Sequence, residues 1–176
     1  MRRLPLPILT KRLELRTFRP ADGADLFGYL GDPEAVFFEP YGAFTREEAA
    51  REAARRAIDP AFIAVCLGEK LIGNVYFDMD EASESASLGY ILNRAYWGCG
   101  YATEAARAVL DAAFALGVRR IEAGCAETNP GSWRLLERLG MHLVQKIPRA
   151  VTFKRDATGN EIWFDARRYE LKSPVR

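Results

Sequence analysis

The feature that most constrains this chain is a glycine-bracketed turn, Gly98-Cys99-Gly100-Tyr101, joining a β-prone stretch, Ser87 to Leu92, to a helix that starts near Ala102. The helix carries an apolar stripe at Ala102, Ala105, Ala106, Val109, Ala113 and Phe114, and it stops near Leu116 before Gly117, where a C-terminal cap is expected. A second β-prone stretch, Arg120 to Ala126, comes next. Strand, helix, strand is a crossover, and a crossover makes its two strands run parallel. In open sheets ligands collect at the carboxyl ends of strands where neighbouring connections diverge. Here the glycine turn delivers a helix N-terminus to that point.

The rest of the chain supplies the remaining layers. Arg12 to Phe18 alternates polar and apolar residues as a half-buried strand, and Ala24 to Leu30 has helical spacing that ends near Gly31-Asp32-Pro33. An aromatic loop follows, with Phe37, Phe38, Tyr41 and Phe44. Thr45 and Glu48 then form a capping-box pattern at the head of a helix from Arg46 to Ile58. The Glu47/Arg51 and Glu52/Arg56 pairs read as a solvated face of that helix. Phe62 to Leu67, Lys70 to Phe77 and Ser87 to Leu92 form an antiparallel meander, the first two joined by Gly68-Glu69. After the crossover come a helix from Asn129 to Leu139, closed by Gly140, and a strand pair, Leu143 to Val151 and Glu161 to Leu171, around a turn at Asp156 to Asn160. The expectation is one α/β domain over residues 1–176, with a mixed, mostly antiparallel sheet of about seven strands and about four helices.

Composition removes several function classes. Lys and Arg number 25 against 24 Asp and Glu, so there is no basic footprint for nucleic acid. No run reaches the roughly 20 apolar residues of a membrane helix, and the start lacks a signal-peptide core, so a cytoplasmic protein that does not engage membranes is expected. Cys66, Cys99 and Cys125 occur singly, with His142 the one histidine, so no metal is expected; Cys66 and Cys125 read as small buried hydrophobes.

Gly98 and Gly100 let successive backbone N–H groups turn toward one anion, to which a helix dipole adds partial positive charge, and a pyrophosphate suits that cradle. On the glycines alone, a tight turn with no ligand remains equally open. A Walker loop is absent, and a dinucleotide fingerprint would want Gly or Ala where Thr103 stands, so ATP and NAD are disfavoured.

Together with these, Thr10 to Arg16, Gly73-Asn74, Gly89-Tyr90-Ile91-Leu92, Tyr96 to Ala105, Asn129-Pro130-Gly131-Ser132 and Leu139-Gly140-Met141 make the chain resemble the GNAT superfamily of N-acetyltransferases, within it the RimJ/RimL-type ribosomal-protein acetyltransferases. The resemblance implies the GNAT fold, with its parallel pair splayed around an acyl-CoA site, and acetyl-CoA as cosubstrate. It implies direct transfer of acetyl to an amine, through a tetrahedral intermediate. The acyl-CoA loop falls on Trp97 to Ala102, with Trp97 where Gln or Arg is usual, and the backbone amides of Gly98, Cys99, Gly100, Tyr101, Ala102 and Thr103 would hold the pyrophosphate. Ile91 and Leu92 would pair with the pantetheine arm like an added strand, and a bulge there would free an N–H for the oxyanion.

Asn129 before Pro130 is also what an ordinary helix start looks like; the resemblance adds a CoA-facing role. Ser132 is either a helix-start residue or the acid that protonates departing CoA. Cys99 stands where related sequences often carry Lys and reads as a spacer, leaving Arg94, Arg134 or Arg138 to compensate. Relatives often place a carboxylate at the position of Ser87, so the base must come from elsewhere. Glu39, Asp78, Asp80, Glu84 and Glu127 are candidates, with Glu39 first because it lies in the aromatic loop. That loop and the Lys154 to Asn160 turn are expected to shape a pocket for the acceptor, a protein N-terminus or a small amine. The chain is expected to be a monomer or homodimer. The missing carboxylate also motivates an alternative, a catalytically inactive acyl-CoA sensor or scaffold.

Overall fold

Phe62–Leu67 is buried along nearly its whole length, as a strand covered on both faces must be, and so is the run from Leu71 to Val75 that pairs with it. The structure, a computed structural model, describes residues 3–174 apart from 81 and 83. Its strands are β1 (Ile8–Leu9), β2 (Glu14–Thr17), β3 (Phe62–Leu67), β4 (Lys70–Asp80), β5 (Ser85–Leu92), β6 (Arg120–Ala126), β7 (His142–Arg155) and β8 (Glu161–Lys172). They form one sheet in the order β1-β2-β3-β4-β5-β6-β8-β7, antiparallel except for the β5/β6 pair. The parallel pair is the one required by the crossover. The expected count falls one short because β1 has two residues, too few to show a period.

The helices are α1 (Gly23–Leu30), α2 (Arg46–Ala57), α3 (Tyr101–Ala115) and α4 (Pro130–Arg138). On one sheet face α3 and α4 bury Val109, Leu110, Leu135 and Leu136 against Ile63, Val65 and Leu88. On the other, α1 and α2 cover Ala64, Cys66, Leu71 and Ile91 with Leu26, Tyr29, Leu30 and Ala53. Each of the leucine, isoleucine and valine side chains among them contributes on the order of 1.5–3 kcal/mol by leaving water. Gly117 and Gly140 take positive φ just past α3 and α4, where only glycine turns without strain. Thr45 and Glu48 cap α2 reciprocally.

One expectation about α2 is overturned. The Glu52/Arg56 pair forms at 2.7 Å, yet Arg56 is only 2% exposed and turned inward. Ala49, Ala53 and Arg56 share the face turned to the sheet, and the two short alanines bring the helix close enough to bury the guanidinium. A buried cation requires partners, and it finds Glu52 Oε1 and Asn74 Oδ1.

Among the described residues no helix is long and apolar enough to cross a membrane, and no group of His, Cys, Asp or Glu is placed to hold a metal ion.

Candidate active site

β5 and β6 pair through four residues, from Ser85↔Arg120 to Leu88↔Ala123, and then part. β6 continues to Ala126 on the arm of β8, while β5 continues to Leu92 on the arm of β4. The expected bulge in β5 is absent: the β4/β5 register runs unbroken from Asp80↔Ser85 to Gly73↔Leu92. The irregularity sits on the other side of β4, opposite Val65/Cys66. What frees the main chain is therefore divergence. Asn93 N donates to Ile72 O at 2.8 Å, and strand alternation then commits the Ile91 amide to β4 and turns those of Tyr90 and Leu92 to the gap. The strand-like edge expected of Ile91 and Leu92 thus belongs to Tyr90 and Leu92. The Leu92 carbonyl is already taken, by the Trp97 indole N–H at 2.8 Å.

The glycine turn closes the wide end of the gap. Gly98 and Gly100 have φ of 74° and 81°, and Gly100 is the N-cap of α3. The space a Cβ of Gly98 would fill is empty, so the cradle is open. Arg12 reaches this turn from the N-terminal segment. It donates to the Cys99 carbonyl at 3.0 Å, pairs with Glu104 at 2.7 Å and lies over the Tyr101 ring. Thr10 hydrogen-bonds the same Glu104 at 2.7 Å, so two residues from the chain's start fix the first turn of α3. Cys99 is exposed, and unlike its neighbours Gly98 and Gly100 it does not line the cleft. Of the arginines expected to compensate for it, Arg94 is spent on Asp32 and Glu34. Arg134 and Arg138 line the cleft and make no ion pair with a described residue.

The third wall is the head of α4. Asn129 caps it through a 3.2 Å bond from Ser132 N, as the sequence suggested. Ser132 Oγ lies 2.9 Å from the Tyr90 hydroxyl, which also donates to the Ser132 carbonyl at 3.0 Å. Burial pushes the Tyr90 phenol up, and the Cys125 thiol beside Ser132 up to about 11, so both stay protonated at neutral pH.

At the acceptor end the aromatic loop contributes Phe37, Phe38, Glu39, Tyr41 and Phe44 to the lining. Burial raises the Glu39 carboxyl above its ordinary value, against opposing effects from the Tyr41 hydroxyl, Arg56 and Lys154. The other carboxylates named as possible bases lie outside the lining. Glu84 pairs with Arg119, and Asp78 is exposed on β4 with Asp80. Glu127 is held down to about 2, first by its Arg167 partner and then by Lys146. Ser87 is likewise exposed and outside the lining. Lys154 bonds the Tyr41 carbonyl, but none of residues 154–160 lines the cleft, so the turn expected to shape it acts only by holding the aromatic loop.

These walls enclose one continuous cleft of about 1560 Å³, more than the usual 300–1,000 Å³ for a single small ligand. The acetyltransferase (GNAT) domain family matches residues 12–142. This chain is a GNAT acetyltransferase. The Bacillus subtilis (strain 168) protein described as the uncharacterized N-acetyltransferase YnaD is 30% identical over 168 residues, covering 93% of this chain and 95% of its own. A GNAT-family acetyltransferase from Bacillus anthracis superposes with a TM-score of 0.84 at 27% identity, covering 94% of this chain and 98% of that one. RimL, titled a ribosomal L7/L12 α-N-protein acetyltransferase, shares the fold with a TM-score of 0.80 at 16% identity, covering 94% and 93%. The acetyltransferase transfers acetyl from acetyl-CoA to an amine.

Two members of the acetyltransferase's cleft, Tyr90 and Arg56, and Arg12, which braces its glycine turn, carry no local sequence signal of their role. Tyr90 and Arg12 fall inside the stretches that carry the family resemblance, but their contacts span 42 and 92 residues. Arg56 is disguised by an i,i+4 pair that looks the same on a wet or a buried helix face.

Proposed function

We propose that this acetyltransferase, in a cytoplasmic setting, binds acetyl-CoA along the gap between β5 and β6 and passes its acetyl group directly to an amine admitted past the aromatic loop. The observation that carries the reading is that one cleft joins a glycine-headed helix, a free main-chain edge and a half-buried carboxylate. Acetyl-CoA, when bound, supplies the acetyl group as a thioester with a thiolate leaving group.

Backbone amides from Gly98 through Thr103 hold the diphosphate, aided by the α3 dipole and by Arg134 and Arg138 on the rim. Leu92 N–H and the Tyr90 main chain grip the pantetheine as a strand would. Tyr90 N–H, nearer the apex of the split, faces the charge that develops on the acyl oxygen. Glu39 accepts the proton that an ammonium must lose before its lone pair can attack the acyl carbon. As the C–N bond forms and the C–S bond breaks, Ser132 Oγ gives its proton to the departing sulfur and the Tyr90 hydroxyl at 2.9 Å replaces it, while the nitrogen's second proton passes to solvent, from which the phenol is restored.

An inactive sensor finds no support: Glu39 offers a carboxylate within the cleft, and the relative YnaD is named as an N-acetyltransferase. The test is thiol release from acetyl-CoA with a panel of amines. Release that requires an amine and falls sharply in Ser132→Ala and Glu39→Gln is the expected result. Binding of CoA without release for any amine would end the transfer reading, and full activity in both variants would end the two residue roles.

A further inference from the structure

From the walls of the acceptor end we infer that the acetyl acceptor is a small monoamine on an aromatic body, rather than a polyamine, an aminoglycoside or a protein N-terminus. The inference rests on the acetyl-transfer reading above and names the substrate class for the same cleft.

Six rings line this end: Phe37, Phe38, Tyr41, Phe44, Phe62 and Tyr76. They are fixed in edge-to-face contacts rather than loosely arrayed. Phe37 meets Phe38 at 5.0 Å, Tyr41 meets Phe44 at 5.2 Å, and Phe62 meets Tyr76 at 5.1 Å. Phe164, behind the lining, braces both Phe37 and Phe38 at 5.9 Å. The Lys154 ammonium, on β7, bonds the Tyr41 carbonyl and straps the loop in place. Flat, preorganised walls of this kind favour an aromatic guest, because offset and edge contacts add to the apolar area buried.

Charge argues against a polycation. Glu34 is paired with Arg94, and Glu52 with both Arg55 and Arg56. Glu39 makes no ion pair with a described residue, and the Tyr41 hydroxyl, Arg56 and Lys154 offset part of the rise that burial gives its carboxyl. One carboxylate among rings suits one ammonium, which the ring faces attract on arrival and Glu39 deprotonates. A guest with three or more ammonium groups would find, among the described lining residues at this end, one carboxylate not already paired with an arginine.

The experiment compares kcat/KM for 2-phenylethylamine, spermidine, kanamycin and an alanine-led hexapeptide, read as thiol release from acetyl-CoA. A preference of at least about tenfold for 2-phenylethylamine is expected, the scale a fitted pocket gives. Equal or higher kcat/KM for any of the others overturns the inference. Phe37→Ala, at a ring 43% exposed and so removable without harm to the core, is expected to raise the KM for 2-phenylethylamine about tenfold and leave that for acetyl-CoA unmoved. An unchanged amine KM counts against the rings. If no amine releases thiol, the transfer reading fails by itself, and calorimetry on the CoA-loaded protein decides the substrate class. Tighter binding of 2-phenylethylamine than of spermidine then supports it, and any other order overturns it.

Discussion

The Tyr90 hydroxyl on β5 and the Ser132 hydroxyl on α4 lie 2.9 Å apart, and the Tyr90 proton has a second acceptor in the Ser132 carbonyl at 3.0 Å. A phenol with two acceptors can swing to the serine oxygen as that oxygen gives up its own proton. Ser132→Ala is therefore expected to lower kcat by about 10²-fold, within the range for a lost acid catalyst. Tyr90→Phe is expected to lower it less, with the KM for acetyl-CoA little changed in either. Steady-state kinetics separate the two effects.

Glu39 gives a pH signature. Its carboxyl is raised by burial in the folded protein, and it must be ionised to accept a proton, so kcat/KM rises with pH through that raised value. Glu39→Gln is expected to lose about 10²-fold in kcat/KM and to flatten the acid limb. The sign for stability is opposite. An acid whose folded value lies above its unfolded value binds more protons when folded, so stability falls as pH rises through that window. Glu39→Gln is thus expected to melt higher than the parent at pH 7 and nearly equally at pH 4, read by thermal unfolding at both.

Arg12 tests the phosphate end. Arg12→Ala removes the bonds to Cys99 O and Glu104 that fix the turn before α3, and it touches nothing at the acceptor end. Affinity for CoA is expected to fall about tenfold, the scale of one charge-assisted hydrogen bond, with kcat for a saturated enzyme little changed. Calorimetric titration with CoA checks it, and an unchanged Kd would show that the turn holds its shape unaided.

Gly73 is a matter of stability. A Cβ there would lie 2.4 Å from the Ile91 carbonyl oxygen and 2.8 Å from Leu92 Cα, both backbone atoms that cannot swing aside. Gly73→Ala is expected to cost about 1–3 kcal/mol, the range for overpacking a closed interior, measured by denaturant unfolding.

The sequence makes visible those parts of this protein whose cause is local. The crossover at residues 87–126 and the turn at Gly98 to Thr103 are legible because a strand period, two glycines and a helix stripe lie side by side. β3 and β6 fall where β-branched and apolar runs put them, and Thr45/Glu48 caps α2 as its spacing demands. What the sequence hides is set by partners far along the chain. Nothing near residue 56 says that an arginine will be buried against Asn74, and nothing near residue 12 says that its guanidinium will end beside Cys99. The misplaced bulge has the same origin, since where two strands separate is decided by a third, β8, which holds β6 to Ala126.

That separation has a mechanical corollary. The sheet's two antiparallel blocks, β1 to β5 and β6 to β8, are stitched by only four rungs, Ser85 to Leu88 against Arg120 to Ala123. A ligand arm that lies in the cleft beyond Leu88 along the edge of β5 would fill the space between the blocks as mortar does, so an empty molecule should breathe at this joint while a filled one sets. The amides of Tyr90 and Leu92, bare in one case and roofed in the other, are where deuterium uptake would register the difference.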